Sequence, residues 1–243
     1  MNIKHYGLLT AVAVIGLSSG ACDSLGLNDD EATVGLTFAS RSGGTSALMA
    51  SLVQDSITVG GHTLNLTNVD LVISEATLEV AEASGGDDSD SEADSDSDGR
   101  MNEKFRDSRF TLALPLNGGV ITPFTTQVQL GTYEELELDV DSVRLRGTYD
   151  GQPFDVTMNV NTELEFDFSP PFVIASADDR FNVSVLVNTT NWLRNNDGSL
   201  VDPRTILTNT TTRASVMQRI KSSFKAFEDS DKDADEQDSD SDG

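Results

Sequence analysis

The chain has 243 residues, 41 acidic side chains against 16 Lys and Arg, a net charge of −25 and a sequence pI near 4.1. That balance argues against nucleic acid or an anionic membrane surface as a direct partner, because no basic stripe is present to neutralise phosphates; cations and basic proteins are the natural counterparts. A single cysteine excludes a disulfide framework within the chain.

The first element is a leader. Lys4 and His5 form a weakly basic start, and Gly7 to Leu17 is an apolar run of signal-peptide length, too short to cross a hydrocarbon core of about 30 Å. Ser19 and Ala21 are small, which places cleavage after Ala21 and makes Cys22 the first residue of the mature chain. An unpaired thiol in an exported protein is an oxidisable liability that lipidation removes, so Cys22 is the expected lipidation site. Residues 1–21 are then a signal peptide and 22–31 a tether. Two or three acyl chains hold a protein at a membrane almost permanently, where one chain holds it marginally. The expected location is the cell envelope, lipid-anchored and facing the periplasm or the exterior.

From Ala32 onward, apolar and polar residues alternate with the period of a half-buried strand. Strands are predicted at Thr33–Ala39, Ser56–Val59, His62–Leu66, Val69–Val80, Arg109–Leu114 and Thr126–Leu130. Leu136, Leu138 and Val140 share the face of another, and Val143–Thr148, Phe154–Val160, Thr162–Phe168 and Phe181–Val187 complete the set. Asp150-Gly151 is a hairpin turn signal, and Pro170-Pro171 is expected to stop a strand. Near the end the period changes: Val216, Met217, Ile220, Phe224 and Phe227 form a helical stripe, predicting a helix over 213–227 with an N-cap among Thr210 to Thr212. The expected fold is an all-β, antiparallel β-sandwich over residues 32–228 with that one C-terminal α-helix. A membrane β-barrel also alternates, but an anchored N-terminus, few aromatic residues for interfacial girdles and acidic strand faces argue against it.

Two acidic tracts punctuate the body, an insert at 83–104 and a tail at 229–243. Asp87 to Asp98 and Glu228 to Asp242 together hold −15 of the net charge. Asp94-Ser95-Asp96-Ser97-Asp98-Gly99 recurs as Asp238-Ser239-Asp240-Ser241-Asp242-Gly243, and alternate aspartates before a glycine resemble the first half of an EF-hand loop. The second half is missing: the twelfth position from Asp94 is Phe105, while the Asp229 register ends on Asp240 but carries Ala234 in place of the glycine. The candidate metal ligands are Asp94, Asp96, Asp98, Asp229, Asp231, Asp233 and Asp240. Their two readings are solvated spacers, or Ca²⁺ sites of the weak extracellular kind with dissociation constants of about 10⁻⁴ to 10⁻³ M.

No catalytic residue is assigned. His62 is the one histidine of the mature chain, beside Gly60-Gly61, with no nucleophile or metal-ligand spacing around it. Glu135, Glu137, Asp139 and Asp141 share one strand face opposite Leu136, Leu138 and Val140, which a solvated sheet face explains. The competing reading is a carbohydrate-active or other hydrolytic enzyme using such carboxylates. It requires a concave pocket in which two of them lie close together, flanked by Trp192 or tyrosines; Trp192 is expected instead to be buried against the sheet edge.

Four segments, Leu114-Pro115-Leu116-Asn117-Gly118-Gly119, Gly131-Thr132-Tyr133-Glu134-Glu135-Leu136, Gly147-Thr148-Tyr149-Asp150-Gly151-Gln152-Pro153-Phe154 and Ser223-Phe224-Lys225-Ala226-Phe227-Glu228-Asp229, together resemble uncharacterised bacterial lipoproteins with an acidic insertion and an aspartate-rich end. The resemblance implies architecture and location, and no activity. The expected function is therefore a non-enzymatic, membrane-anchored binding or structural module outside the cytosol, whose acidic loops collect Ca²⁺ or contact a basic protein, with no nucleic-acid partner.

Overall fold

The computed structural model describes residues 31–41, 55–81, 102–106, 108–178 and 180–229. The signal peptide, Cys22, most of the tether and of the acidic insert, and the tail beyond Asp229 lie outside the described residues. The described elements are β1 (Glu31–Arg41), β2 (Asp55–Val59), β3 (His62–Val80), β4 (Glu103–Arg106), β5 (Phe110–Ala113), β6 (Val120–Gln129), β7 (Gly131–Tyr149), β8 (Gln152–Ile174), β9 (Arg180–Asn188), α1 (Thr210–Lys221) and β10 (Phe224–Glu228). Short 3₁₀ turns at Thr189–Asn191 and Pro203–Thr205 lie between β9 and α1.

The chain is all-β, with two sheets stacked as a sandwich. One sheet runs β10-β9-β1-β6; the other runs β2-β3-β7-β8, with β5 and β4 following β2 along the same edge of β3. Alternation supplies the inner faces: Val34, Leu36 and Phe38 of β1 and Val183, Val185 and Val187 of β9 join Leu71, Ile73, Leu136, Leu138 and Leu145 in one buried cluster. Each such side chain contributes roughly 1.5–3 kcal/mol on burial, and this shared core is what holds the two sheets together. The sandwich is not wholly antiparallel, because β1 and β9 pair in parallel. Residues 42–179 lie between them, which leaves room for the crossover that a parallel pair needs.

Several predicted strand breaks are bulges. Leu136 to Thr148 is part of one strand, β7, whose register against β8 shifts between Val140 and Ser142, opposite Asn161 with φ of 41°. A bulge bends a strand without ending it. Pro170-Pro171 does not stop its strand either. Both prolines lie inside β8, in an out-of-register stretch between Asp167 and Phe172, and β8 is the last strand of its sheet, where a missing N–H removes no ladder bond. The Asp150-Gly151 turn forms as expected, with φ of 51° and 75°, the left-handed pair that a two-residue hairpin requires.

The helix predicted over 213–227 is shorter and starts earlier. Asn209 is the N-cap, its side chain accepting from Thr212 N at 3.0 Å, and α1 ends at Lys221. Residues 224–228 are β10 instead, paired with β9. Phe224 and Phe227, three apart, fit one helical stripe equally well as the two faces of a strand. Phe224 faces the core opposite Val187, while Phe227 packs on the outer side with Ala39 and Leu186.

Candidate functional site

The outer face of the β3-β7-β8 sheet carries the concentrated chemistry. Register places Glu79, Glu135 and Asp167 in one row, Thr77, Glu137 and Glu165 in the next, and Glu75, Asp139 and Glu163 in a third. Directly paired residues of neighbouring strands share a face, so three strands set eight carboxylates in a three-by-three lattice whose remaining position is Thr77. Asp141 continues β7 past the third row and accepts from Ser74 Oγ at 3.1 Å. Among the described residues, the ion pairs formed on this half are Lys104 with Glu75 and Arg109 with Asp141.

The rest of the same face is charge-balanced. Arg144 grips Asp155 through two nitrogens, and Arg146 reaches Asp70 at 3.0 Å and Asn68 Oδ1 at 2.8 Å. The acidity is therefore confined to one end of the sheet. Its electrostatic consequence is largest at the centre: Glu137, desolvated by its neighbours and facing Glu79, Glu163, Glu135 and Glu165, has its carboxyl pushed up to about 7. Partial burial, with Asp167 and Glu79 close by, raises Glu135 as well. The two raised carboxyls, Glu135 and Glu137, are neighbours on the same face of β7.

Among the described residues, no aromatic platform stands at this lattice. Trp192 and Tyr133 are fully buried and Tyr149 is 6% exposed. Trp192 stacks near Phe224 at 6.5 Å and donates to Ser223 Oγ at 2.7 Å, inside the core beside α1. His62 lies at the hairpin end, its Nδ1 2.7 Å from Asp150 Oδ2 and its ring stacked on Tyr149 at 5.6 Å. Asp150 also accepts from Thr63 N at 2.8 Å, and these contacts draw its carboxyl below the usual range. The arrangement ties the β2-β3 and β7-β8 turns together.

Of the seven candidate metal ligands, Asp94, Asp96, Asp98, Asp231, Asp233 and Asp240 lie outside the described residues. Asp229 is fully buried after β10: Ser184 Oγ donates to its Oδ2, and its own N–H donates to Asn182 O at 2.9 Å. It ends a polar chain in which Thr37 Oγ1 donates to Asn182 Oδ1 at 2.7 Å and Asn182 Nδ2 to Ser184 Oγ at 3.1 Å. Phe105, at the twelfth position from Asp94, belongs to the core. Among the described residues, no group of three or more His, Cys, Asp or Glu is placed to hold a metal ion.

The sequence reading found Glu135, Glu137, Asp139 and Asp141 but missed their partners Glu75 and Glu79 on β3 and Glu163, Glu165 and Asp167 on β8. The signal was present, since each strand carries acids at even spacing. Only the non-local register converts three short acidic rows into a patch. No protein-family model, curated protein or solved structure matches the chain.

Proposed function

We propose that this protein is a non-enzymatic, lipid-anchored module of the cell envelope, tethered through Cys22, that uses the acidic lattice of β3, β7 and β8 to bind a basic protein and to concentrate divalent cations. The observation that carries the reading is the carboxyl of Glu137, raised to about 7 among eight acids that have so few cations of their own. Like charges directly opposite on a sheet destabilise it. A partner bringing Lys or Arg relieves that repulsion, so affinity and relief of self-repulsion act in the same direction. The leader and the resemblance to bacterial lipoproteins support the location, and the alternate aspartates at 94–98 and 231–240 support a role as weak Ca²⁺ collectors.

The test is titration of the mature protein with a lysine-rich peptide at several salt concentrations. Binding that weakens with salt, and that falls at least about tenfold in a Glu79→Gln, Glu137→Gln, Glu165→Gln variant, supports the reading; equal affinity in parent and variant refutes it. Intact mass of membrane-extracted protein tests the anchor, since an unmodified thiol at Cys22 removes it.

A hydrolytic reading has one specific observation in its favour, a glutamic acid whose carboxyl is pushed up to about 7 in a row of other acids. The absence of Trp192, Tyr133 and Tyr149 from the lattice favours the binding module. Release of sugar from oligosaccharides that vanished in Glu137→Gln would reverse that preference.

A further inference from the structure

A second region of the molecule is cationic against the trend of the chain. A cleft of about 320 Å³ opens where β9, the turn Thr189–Asn191, the end of α1 and β10 meet, lined by Leu186, Asn188, Asn191, Arg219, Ser222 and Lys225. Among the described residues, it is lined by two cations and no carboxylate, in a protein of net charge −25. Its volume falls at the small end of the range for small-molecule pockets, and its make-up, one apolar wall with convergent polar groups, is that of such a site.

Arg219 is the underused group. Its Nη2 makes one long bond, 3.3 Å to Asn196 Oδ1, and its Nη1 is shut off from water with no hydrogen-bond partner. A charged donor left in that state carries a desolvation penalty that no hydrogen bond offsets. Asn188 Oδ1 accepts from Thr190 N at 3.2 Å, which orients its amide and leaves the NH₂ as a donor. Ser222 donates to Arg219 O at 3.3 Å and keeps its lone pairs available.

We propose that this cleft is a binding site for a small carboxylate that also carries hydroxyl groups, of the size and chemistry of a sugar acid. Arg219 and Lys225 give the cleft the positive charge that favours a carboxylate. The Asn188 and Asn191 amides and the Ser222 hydroxyl are donors and acceptors of the kind that read hydroxyls, and Leu186 packs against a carbon face. The acidic body repels anions at long range, but that field is screened within about 8 Å in physiological salt, so the ligand is held by contact and not by steering.

The site has a built-in reporter. Trp192 is the only tryptophan of the chain, and its indole N–H bonds to Ser223 Oγ on the cleft wall. Titrating the mature protein with sodium glucuronate is expected to change Trp192 fluorescence saturably in the millimolar range, whereas glucose is not. Arg219→Gln is expected to weaken that binding about tenfold or more, with Lys221→Gln unchanged. Shifts of the Asn188 and Asn191 side-chain amide signals on adding glucuronate provide the same readout in the unsubstituted protein. No saturable response to glucuronate by either readout, an equal response to glucose, or inorganic phosphate binding as tightly as glucuronate would overturn the assignment. So would a folded Arg219→Gln protein with undiminished affinity.

Discussion

Glu137 on β7 stands directly opposite Glu165 on β8, like charge facing like charge at the centre of a sheet face, with Thr77 completing the row on β3. The fold accepts this repulsion because the other side of the same strands carries Leu136, Leu138 and Leu164 into the core. Burial of those side chains sets the register, and the register fixes which acids meet.

Glu137 makes stability depend on pH in a defined direction. Its folded carboxyl holds a proton up to about 7, against an unfolded value near 4.5. Between those limits the folded state binds more protons, so stability falls as pH rises through the window and the penalty is complete above it. Glu137→Gln removes the titration. The variant is expected to match the parent at about pH 4 and to exceed it at about pH 8 by about 1 kcal/mol, or about 2–4 °C in Tm for a domain of this size, a figure already reduced for solvent screening. Calorimetry at the two pH values checks it, and equal melting points at the higher pH would contradict the lattice electrostatics.

Asp229 is expected to behave as a structural residue. Its carboxylate accepts from Ser184 within a buried polar chain, so Asp229→Ala leaves the Ser184 hydroxyl without its acceptor at full burial. The expected loss is about 2 kcal/mol by urea denaturation, the same with and without Ca²⁺. Asp231→Ala with Asp233→Ala is the pair that tests Ca²⁺ binding by the tail. A Ca²⁺-dependent loss confined to Asp229→Ala would return that residue to the ligand set.

The two-sheet architecture was legible because alternation is local: β1, β9 and the Asp150-Gly151 hairpin follow directly from period and turn chemistry. What escaped was set by distant partners. A spacing of three carries the helical stripe through Phe224 and Phe227, and nothing nearby reveals that the two pack on opposite faces of β10. Pro170-Pro171 reads as a stop unless the strand is known to be an edge. The acidic patch was half visible, since Glu135, Glu137 and Asp139 show their common face alone, whereas Glu79 and Glu165 join them only through the pairings Glu79 with Glu135 and Glu137 with Glu165, which no local spacing reveals.

Gly147 marks the tightest backbone approach in the lattice sheet. A Cβ there would lie 2.0 Å from the carbonyl oxygen of Asn65 and 3.0 Å from Phe154 Cζ, on the β3 and β8 sides of β7 respectively. The obstacle on the β3 side is backbone, so it cannot swing away. Gly147→Ala is therefore expected to force the strands apart beside the register shift between Leu66 and Asn68, at a cost of about 3 kcal/mol. A urea midpoint equal to that of the parent would show that β3 and β7 are not so closely paired there.

Salt provides an independent check of the same face. Residues opposite one another in the lattice have Cβ atoms about 5 Å apart, a spacing inside the Debye length of about 10 Å at 0.1 M salt but beyond the 3 Å reached at 1 M. Raising NaCl across that range should screen their repulsion and raise Tm, apart from the general strengthening of apolar burial shared by every variant. The Glu79→Gln, Glu137→Gln, Glu165→Gln protein has little of that repulsion left, so its salt-induced rise should be smaller than the parent's by about 2–4 °C, equivalent to about 1 kcal/mol. Arg144→Gln, in the balanced half where Arg144 holds Asp155, should not reduce the salt-induced rise in that way. Matching salt responses in parent and triple variant would mean that the acids of β3, β7 and β8 act as independent surface charges.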